Sequence, residues 1–356
     1  MKKLKSLYIS SVLPSSGKTE IALGLGMVLQ DKGYKVGYFK PFGSRKGKAN
    51  IDPEIEILAK AFGMDETSLC PCFLDAVHFE TILKQDQEKA KKQLLDSYNA
   101  VRDTYDVVII EGLKKANTLL SFDLDDANLA RMFDDSPILA VDVLEVDDDI
   151  DDVLLHKNII THREGNYAGC VLNKIPKIMS ARAEKDVLSF LKEKGCNLLG
   201  MVQRDDRLTA PTMGEIMENL NGKLLDDDID SYNFESIVQH VLIGAMSAHS
   251  ALSYFRSSGK NSIVITGGDR ADIVLTALET NISGIILTGN LYPDVRVLAA
   301  AKEKNVPVIM VPYDTYTTAS KVSETAAELQ LHEKDLCKEL VEKSLDIDGI
   351  IELLKK

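Results

Sequence analysis

The chain has 356 residues, 45% of them hydrophobic and 27% charged, a length that favours two domains over one. Its 55 acidic and 42 basic residues leave a formal net charge of −13, which repels nucleic acid and anionic membranes and argues against both as partners. No apolar run approaches the roughly 18 residues of a membrane span, and Met1-Lys2-Lys3-Leu4-Lys5 leads into Ser10, Ser11 and Pro14 rather than an apolar leader, so a cytoplasmic protein is expected.

Strand and helix alternate from the start. Residues 7–9 read as a buried strand, a loop of small residues follows, and residues 18–32 form a helix that Gly33 ends. A second strand at 36–39 closes at Lys40-Pro41, a helix covers 88–98, and a third strand lies at 107–110. Apolar runs at 138–141, 168–172 and 198–202 extend the series. Short apolar strands separated by helical crossovers predict an α/β fold, a parallel sheet with helices on both faces. Ligands of such sheets lie at the carboxyl ends of the strands.

Residues 204–231, rich in Asp, Gly and Asn and including Asp226-Asp227-Asp228, read as a linker between a first domain at 1–203 and a second at 232–325. In the second, strands at 262–266, 285–288 and 308–311 alternate with helices at 270–278 and 294–304, a smaller α/β unit. Residues 326–356 are expected as a helical tail, with Leu and Ile on one face from His332 onward.

The chemistry concentrates between the first strand and the first helix, in Ser10-Ser11-Val12-Leu13-Pro14-Ser15-Ser16-Gly17-Lys18-Thr19. Small residues let backbone N–H groups close around phosphate oxygens, and the helix N-terminus adds positive potential. A lysine reaches the outer phosphates and a hydroxyl ligates magnesium, which Lys18 and Thr19 supply. Ser15, Ser16, Gly17, Lys18 and Thr19 are therefore the expected phosphate site of a P-loop NTPase-type sheet, although Ser11 or Val12 stands where the usual pattern has a glycine.

Three further positions belong to the same edge of the sheet. Lys40, with Ser44 shortly after it, ends the second strand, where an ammonium meets an anionic substrate or the terminal phosphate. Glu111-Gly112 ends the third strand, where a carboxylate beside a phosphate loop binds magnesium, and Asp52 is a second candidate for the same metal. Asn173 follows the strand at 168–172, and its amide has both a donor and an acceptor with which to read a purine edge. In the second domain, Gly267, Gly268, Asp269 and Arg270 follow a strand and form a possible ligand loop, with Arg270 to pair an anion.

Other features carry no expected chemistry. Five cysteines make no disulfide framework, and Cys70-Pro71-Cys72, the one close pair, lacks a second pair to complete a metal site. The acidic run 147–152 reads as a solvated helix start, and His78, His156, His162, His240, His249 and His332 are isolated in the sequence.

Ser15-Ser16-Gly17-Lys18-Thr19, Lys40-Pro41 with Ser44, Glu111-Gly112 and Asn173 occur in the order seen in dethiobiotin synthetase, which this region resembles. That family closes a urea ring on a diamine using carbon dioxide, ATP and magnesium. The resemblance implies that Lys18 contacts ATP phosphates, Thr19 and Glu111 hold magnesium, Asn173 faces adenine and Lys40 faces substrate or the γ-phosphate. The chain departs from the family at Leu113-Lys114-Lys115, where dethiobiotin synthetase has a glycine-rich stretch.

Leu242-Ile243-Gly244-Ala245-Met246-Ser247 and Thr266-Gly267-Gly268-Asp269-Arg270 are similar to the DRTGG domain, as are Gly284-Ile285-Ile286-Leu287-Thr288-Gly289 and Asp314-Thr315-Tyr316-Thr317-Thr318-Ala319. A dethiobiotin-synthetase-like domain followed by DRTGG resembles the N-terminal half of long bacterial phosphotransacetylases, over about residues 3–325. Without the transferase domain of those enzymes, acetyl transfer is not expected. Three readings are open here. One is an ATP- and Mg2+-binding regulator or partner of an acetate-metabolism enzyme, another an ATP-dependent ligase of an unidentified small carboxylate or amine. The third is an interaction module with a decayed phosphate loop. A homodimer is the expected assembly.

Overall fold

Apolar runs bounded by turns become the strands of two separate sheets in the computed structural model, which describes residues 3–44, 52–64, 69–74, 87–226, 232–258, 260–325, 327 and 329–355. His78, Asp227 and Asp228 lie outside the described residues. One unit comprises Met1–Arg204 with Leu329–Lys356, and the other Asp205–Glu328.

In the first unit β1 (Leu7–Ser10) leads through the loop into helix α1 (Lys18–Asp31), followed by β2 (Val36–Phe39) and the short β3 (Phe42–Gly43). Helix α2 (Pro53–Phe62) comes next, then β4 (Cys72–Phe73), which pairs with β3. After the helix Gln87–Thr104 come β5 (Val107–Glu111), β6 (Ile138–Val143), β7 (Tyr167–Ile175) and β8 (Leu198–Gln203). The main sheet has the order β2-β5-β1-β6-β7-β8, and every pair is parallel. The chain leaves β1 toward one edge and later returns to its other side, so the switch point, where ligands bind in such sheets, is at the carboxyl end of β1. Each residue of β1, β2 and β5 is buried, as helices on both faces require.

The segment read as a helical tail forms two helices, Lys334–Ser344 and Ile347–Leu354, that pack into this first unit. Cys337 and Val341 are buried against α1, whose Gly24 lets the Cys337 backbone come close enough that a Cβ at 24 would lie 2.4 Å from its carbonyl oxygen. Asp346 N–H donates to Leu199 O at 2.8 Å and Lys5 N–H to Leu354 O at 2.8 Å, tying the segment to β8 and to the approach to β1.

The second unit holds β9 (Lys223–Leu224), β10 (His240–Ile243), β11 (Ser262–Gly267), β12 (Ile282–Thr288) and β13 (Val308–Met310), in the order β10-β11-β12-β13-β9. All pairs are parallel except β13–β9. The stretch read as a linker supplies β9 and the helix Met213–Asn219, whose capping box pairs Thr212 with Glu215. Met213 and Ile216 of that helix are buried with Ile263, Ile286 and Ile309, so the segment is part of this core rather than a spacer.

Candidate functional site

The loop from β1 to α1 turns through two left-handed residues, Ser15 (φ 56°) and Gly17 (φ 91°), at the start of the helix, and left-handed residues in such turns generally gather successive backbone N–H groups on one side. Lys18 and Thr19, the first residues of α1, are both buried. The Lys18 ammonium donates to Ser11 Oγ at 2.6 Å, and burial holds its pKa below the usual lysine range, against the pull of Glu111 and Asp126. The Ser16 hydroxyl is buried and has no hydrogen-bond partner among the described residues. A buried hydroxyl without a partner costs stability, and an anion seated in the loop would supply an acceptor.

Strand β7 braces this loop. Asn173 Nδ2 donates to Ser16 O at 2.8 Å, and Lys174 Nζ donates to Ser15 O at 2.6 Å. Lys174 itself is left-handed (φ 58°), where the register between β7 and β8 shifts. The Asn173 side-chain amide is thus engaged with the loop through Nδ2. A Cβ at Gly17 would lie 2.2 Å from Asn173 Nδ2, so Gly17→Ala has to expel that side chain as well as hold a left-handed backbone. Gly17→Ala is expected to lower stability by about 1–2 kcal/mol, read as a drop in urea midpoint, and an unchanged midpoint would contradict the bracing.

On the β5 side the carboxylates gather around one cation. Glu111, paired in register with Ile9 of β1, accepts from Thr19 Oγ1 at 3.2 Å and from the Tyr38 hydroxyl at 3.0 Å. Lys40 Nζ lies 3.3 Å from Glu111 Oε1 and 3.2 Å from Asp52 Oδ2, and it also pairs with Glu54. Burial pushes the Glu111 carboxyl up to about 7, with Lys40 opposing it. Burial alone would lower Lys40, but Glu111, Glu54 and Asp52 more than offset it and hold the ammonium well above its ordinary range. Asp52 also caps α2, accepting from Glu54 N–H at 3.0 Å, and takes Ser44 N–H at 2.8 Å.

The structure therefore brings Ser15, Ser16, Gly17, Lys18, Thr19, Asn173, Glu111, Asp52 and Lys40 to one end of the sheet. The Thr19 hydroxyl and the Glu111 and Asp52 carboxylates are hard oxygen donors of the kind magnesium takes. As arranged, the carboxylates close on the Lys40 ammonium, and among the described residues no group of three or more His, Cys, Asp or Glu has a metal-holding arrangement.

Tyr38 and Glu54 are site residues that sequence reasoning did not single out. Tyr38 lies two residues before Lys40, on the same face by strand alternation, and Glu54 stands in the first turn of a helix announced by Asp52-Pro53.

His156, isolated in the sequence, has two partners in the fold. Its Nδ1 lies 2.7 Å from Asp142 Oδ1 of β6, and its Nε2 lies 3.0 Å from the Ser10 hydroxyl at the end of β1. Ser10 Oγ is also 2.6 Å from Asp126 Oδ2, and Asp126 Oδ1 accepts from the Tyr8 hydroxyl and the Leu113 N–H, both at 2.8 Å. Ser10, Asp126, Asp142 and His156 are all buried.

In the second unit, Gly267 ends β11 and Arg270 precedes the helix Ala271–Leu278, at the carboxyl end of the parallel strands. The Arg270 guanidinium donates to both oxygens of Asp272, at 2.9 and 3.1 Å, and to Met246 O at 2.9 Å. It fastens the loop after β11 to the loop after β10.

A family model described as the AAA domain matches residues 5–212, and one for the DRTGG domain matches residues 215–325. The phosphate acetyltransferase of Nitrosomonas europaea is 24% identical over an alignment that covers 93% of this chain and 49% of that protein. The phosphate acetyltransferase of Pseudomonas putida is 25% identical over 350 residues, covering 93% and 49%. The chain spans about half the length of the curated relatives it matches. Among solved structures, an ATP complex of McdA from Cyanothece has a TM-score of 0.38 at 14% identity, covering 58% of this chain and 86% of that one. No helix among the described residues is long and apolar enough to cross a membrane.

Proposed function

Because the chain belongs to the AAA-domain family over residues 5–212, we propose that its first unit binds ATP with magnesium in the loop between β1 and α1. The observation that carries this reading is the pairing of a buried Lys18 ammonium and a buried Thr19 hydroxyl at the mouth of α1 with an unpartnered Ser16 hydroxyl in the loop. Lys18 contacts the phosphates, and the backbone amides from Ser15 to Gly17 line them. Asn173 offers its side-chain oxygen to the base. Thr19 and Glu111, with Asp52, hold the magnesium, which when bound supplies the positive charge that screens the phosphate oxygens.

The role is regulatory or accessory to acetyl-CoA and acetate metabolism, in keeping with the similarity to phosphate acetyltransferases. The loop at Gly267, Gly268, Asp269 and Arg270 is the ligand loop of the second unit, by its position at the strand ends. A ligase of the dethiobiotin synthetase type would need Lys40 to face a substrate. Its enclosure by three carboxylates favours the regulator instead.

Calorimetric titration with Mg-ATP and Mg-ADP tests the nucleotide reading. Saturable heat, together with a melting temperature that rises with nucleotide, is expected, because a ligand stabilises the state that binds it. Absence of both refutes it and leaves the module with a decayed loop. Steady ATP turnover raised by an added amine or carboxylate would favour the ligase.

A further inference from the structure

The hydrogen atoms around Ser10 do not add up if every group there has its usual charge. Ser10 has one hydroxyl proton and two close neighbours, Asp126 Oδ2 at 2.6 Å and His156 Nε2 at 3.0 Å. If Asp126 is ionised and takes that proton, Nε2 must carry its own proton to face the serine oxygen. A neutral imidazole protonated at Nε2 then turns a bare Nδ1 toward Asp142 Oδ1, 2.7 Å away, so either the ring or Asp142 has to hold another proton. If Ser10 donates to Nε2 instead, Asp126 must be the protonated partner. Each arrangement that satisfies all three contacts contains one extra proton.

We propose that Asp126, Ser10, His156 and Asp142 form a buried proton-binding site, which holds one proton more than two ionised carboxylates and a neutral imidazole carry. The site has a net charge of −1 where free groups would have −2, and it fixes Ser10, the residue from which the phosphate loop departs. Asp142 Oδ2 has no partner among the described residues, so the second carboxylate oxygen gives the network no other outlet. Burial raises the Asp126 carboxyl above the ordinary carboxylate range, although its bonds from Ser10 and Leu113 act the other way.

The other titratable groups that face the site are Tyr8 of β1, Lys18 of α1, Glu111 of β5, Asp125 beside Asp126 and Cys170 of β7. Burial raises both Tyr8 and Cys170, which stay neutral through the slightly alkaline range. Burial raises the Glu111 carboxyl to about 7, and this group is present in the wild type and in each variant below.

On folding above about pH 6.5, where an unfolded histidine is neutral, the site takes one proton from solvent and returns it on unfolding. Its folded affinity for that proton is raised, so the stability it contributes is present at lower pH and is lost as pH rises. The folding equilibrium constant of the wild type should therefore fall with a slope steeper by about tenfold per pH unit than that of a variant without the extra proton.

Asp126→Asn is such a variant. Its amide can donate to Ser10 while its oxygen still accepts from Tyr8 and Leu113. Asp142→Asn is another, since its amide can donate to Nδ1 of an imidazole protonated at Nε2. Urea unfolding of the full chain between pH 6.5 and 8.5 should give the steeper slope for wild type and the shallower one for each variant. Parallel slopes overturn the proposal. Histidine 15N spectra of the wild type test it without any variant, because an unprotonated His156 Nε2 that accepts no hydrogen bond would also overturn it. Failure of nucleotide titration would refute the functional reading and leave this one standing.

Discussion

Lys40→Met is expected to cost the first unit about 3–5 kcal/mol at pH 8, the range found when one member of a buried ion cluster is removed. The loss comes from what stays behind. Asp52 and Glu111 are almost fully buried, and the Lys40 ammonium lies within 3.3 Å of both. Glu54 is partly exposed and contributes less. Without the ammonium, the buried Glu111 carboxyl ionises only at higher pH than in the unfolded chain. Stability is then intact below the unfolded value of about 4.3 and is lost as pH rises through the raised folded value. Glu111, already at about 7 beside Lys40, moves further up. The deficit should accordingly be small at pH 5 and large at pH 8, as urea midpoints at the two values will show. Added magnesium should restore part of it, since a divalent cation can neutralise the same oxygens. A small deficit that does not change with pH would mean that the three carboxylates do not depend on this lysine.

Lys18→Ala should separate binding from folding. Two charge-assisted hydrogen bonds to phosphate at about 1.5 kcal/mol each amount to about 100-fold in affinity, so Mg-ATP titration of the variant should show at least that loss. The stability of the ligand-free protein should not fall with it. Burial disfavours the Lys18 ammonium, whose hydrogen bond among the described residues is the one to Ser11, so a methyl group in its place removes a desolvated charge at little expense. Calorimetry beside a urea melt of the same sample checks both halves. A variant that binds as the wild type does would place the phosphates elsewhere.

The parts of the site that could be read from the sequence are those made by neighbours in the chain. A buried strand, a run of small residues and Gly-Lys-Thr at a helix start lie within residues 7–19, so local spacing is enough to place Lys18 and Thr19. Glu111 and Lys40 were legible because both end apolar runs of one sheet. The enclosure of Lys40 was not, because it depends on how α2 returns over β2. His156 was out of reach for the same reason, with Ser10 146 positions away from it. The linker was misread for a local cause. Composition between 204 and 231 is polar, yet Thr212-Met213-Gly214-Glu215 spells a helix start, and the apolar residues after it belong to a core.

The interruption of the first unit by the whole of residues 205–328 constrains the order in which a ribosome can complete it. Helix α1, which presents Lys18 and Thr19, is made before the second unit, whereas the helix that covers its Gly24 face is made after it. During that interval of synthesis the Gly24 face of α1 lacks the helix that covers it in the folded unit. The core of the first unit therefore cannot be completed until residues 205–328 have been translated.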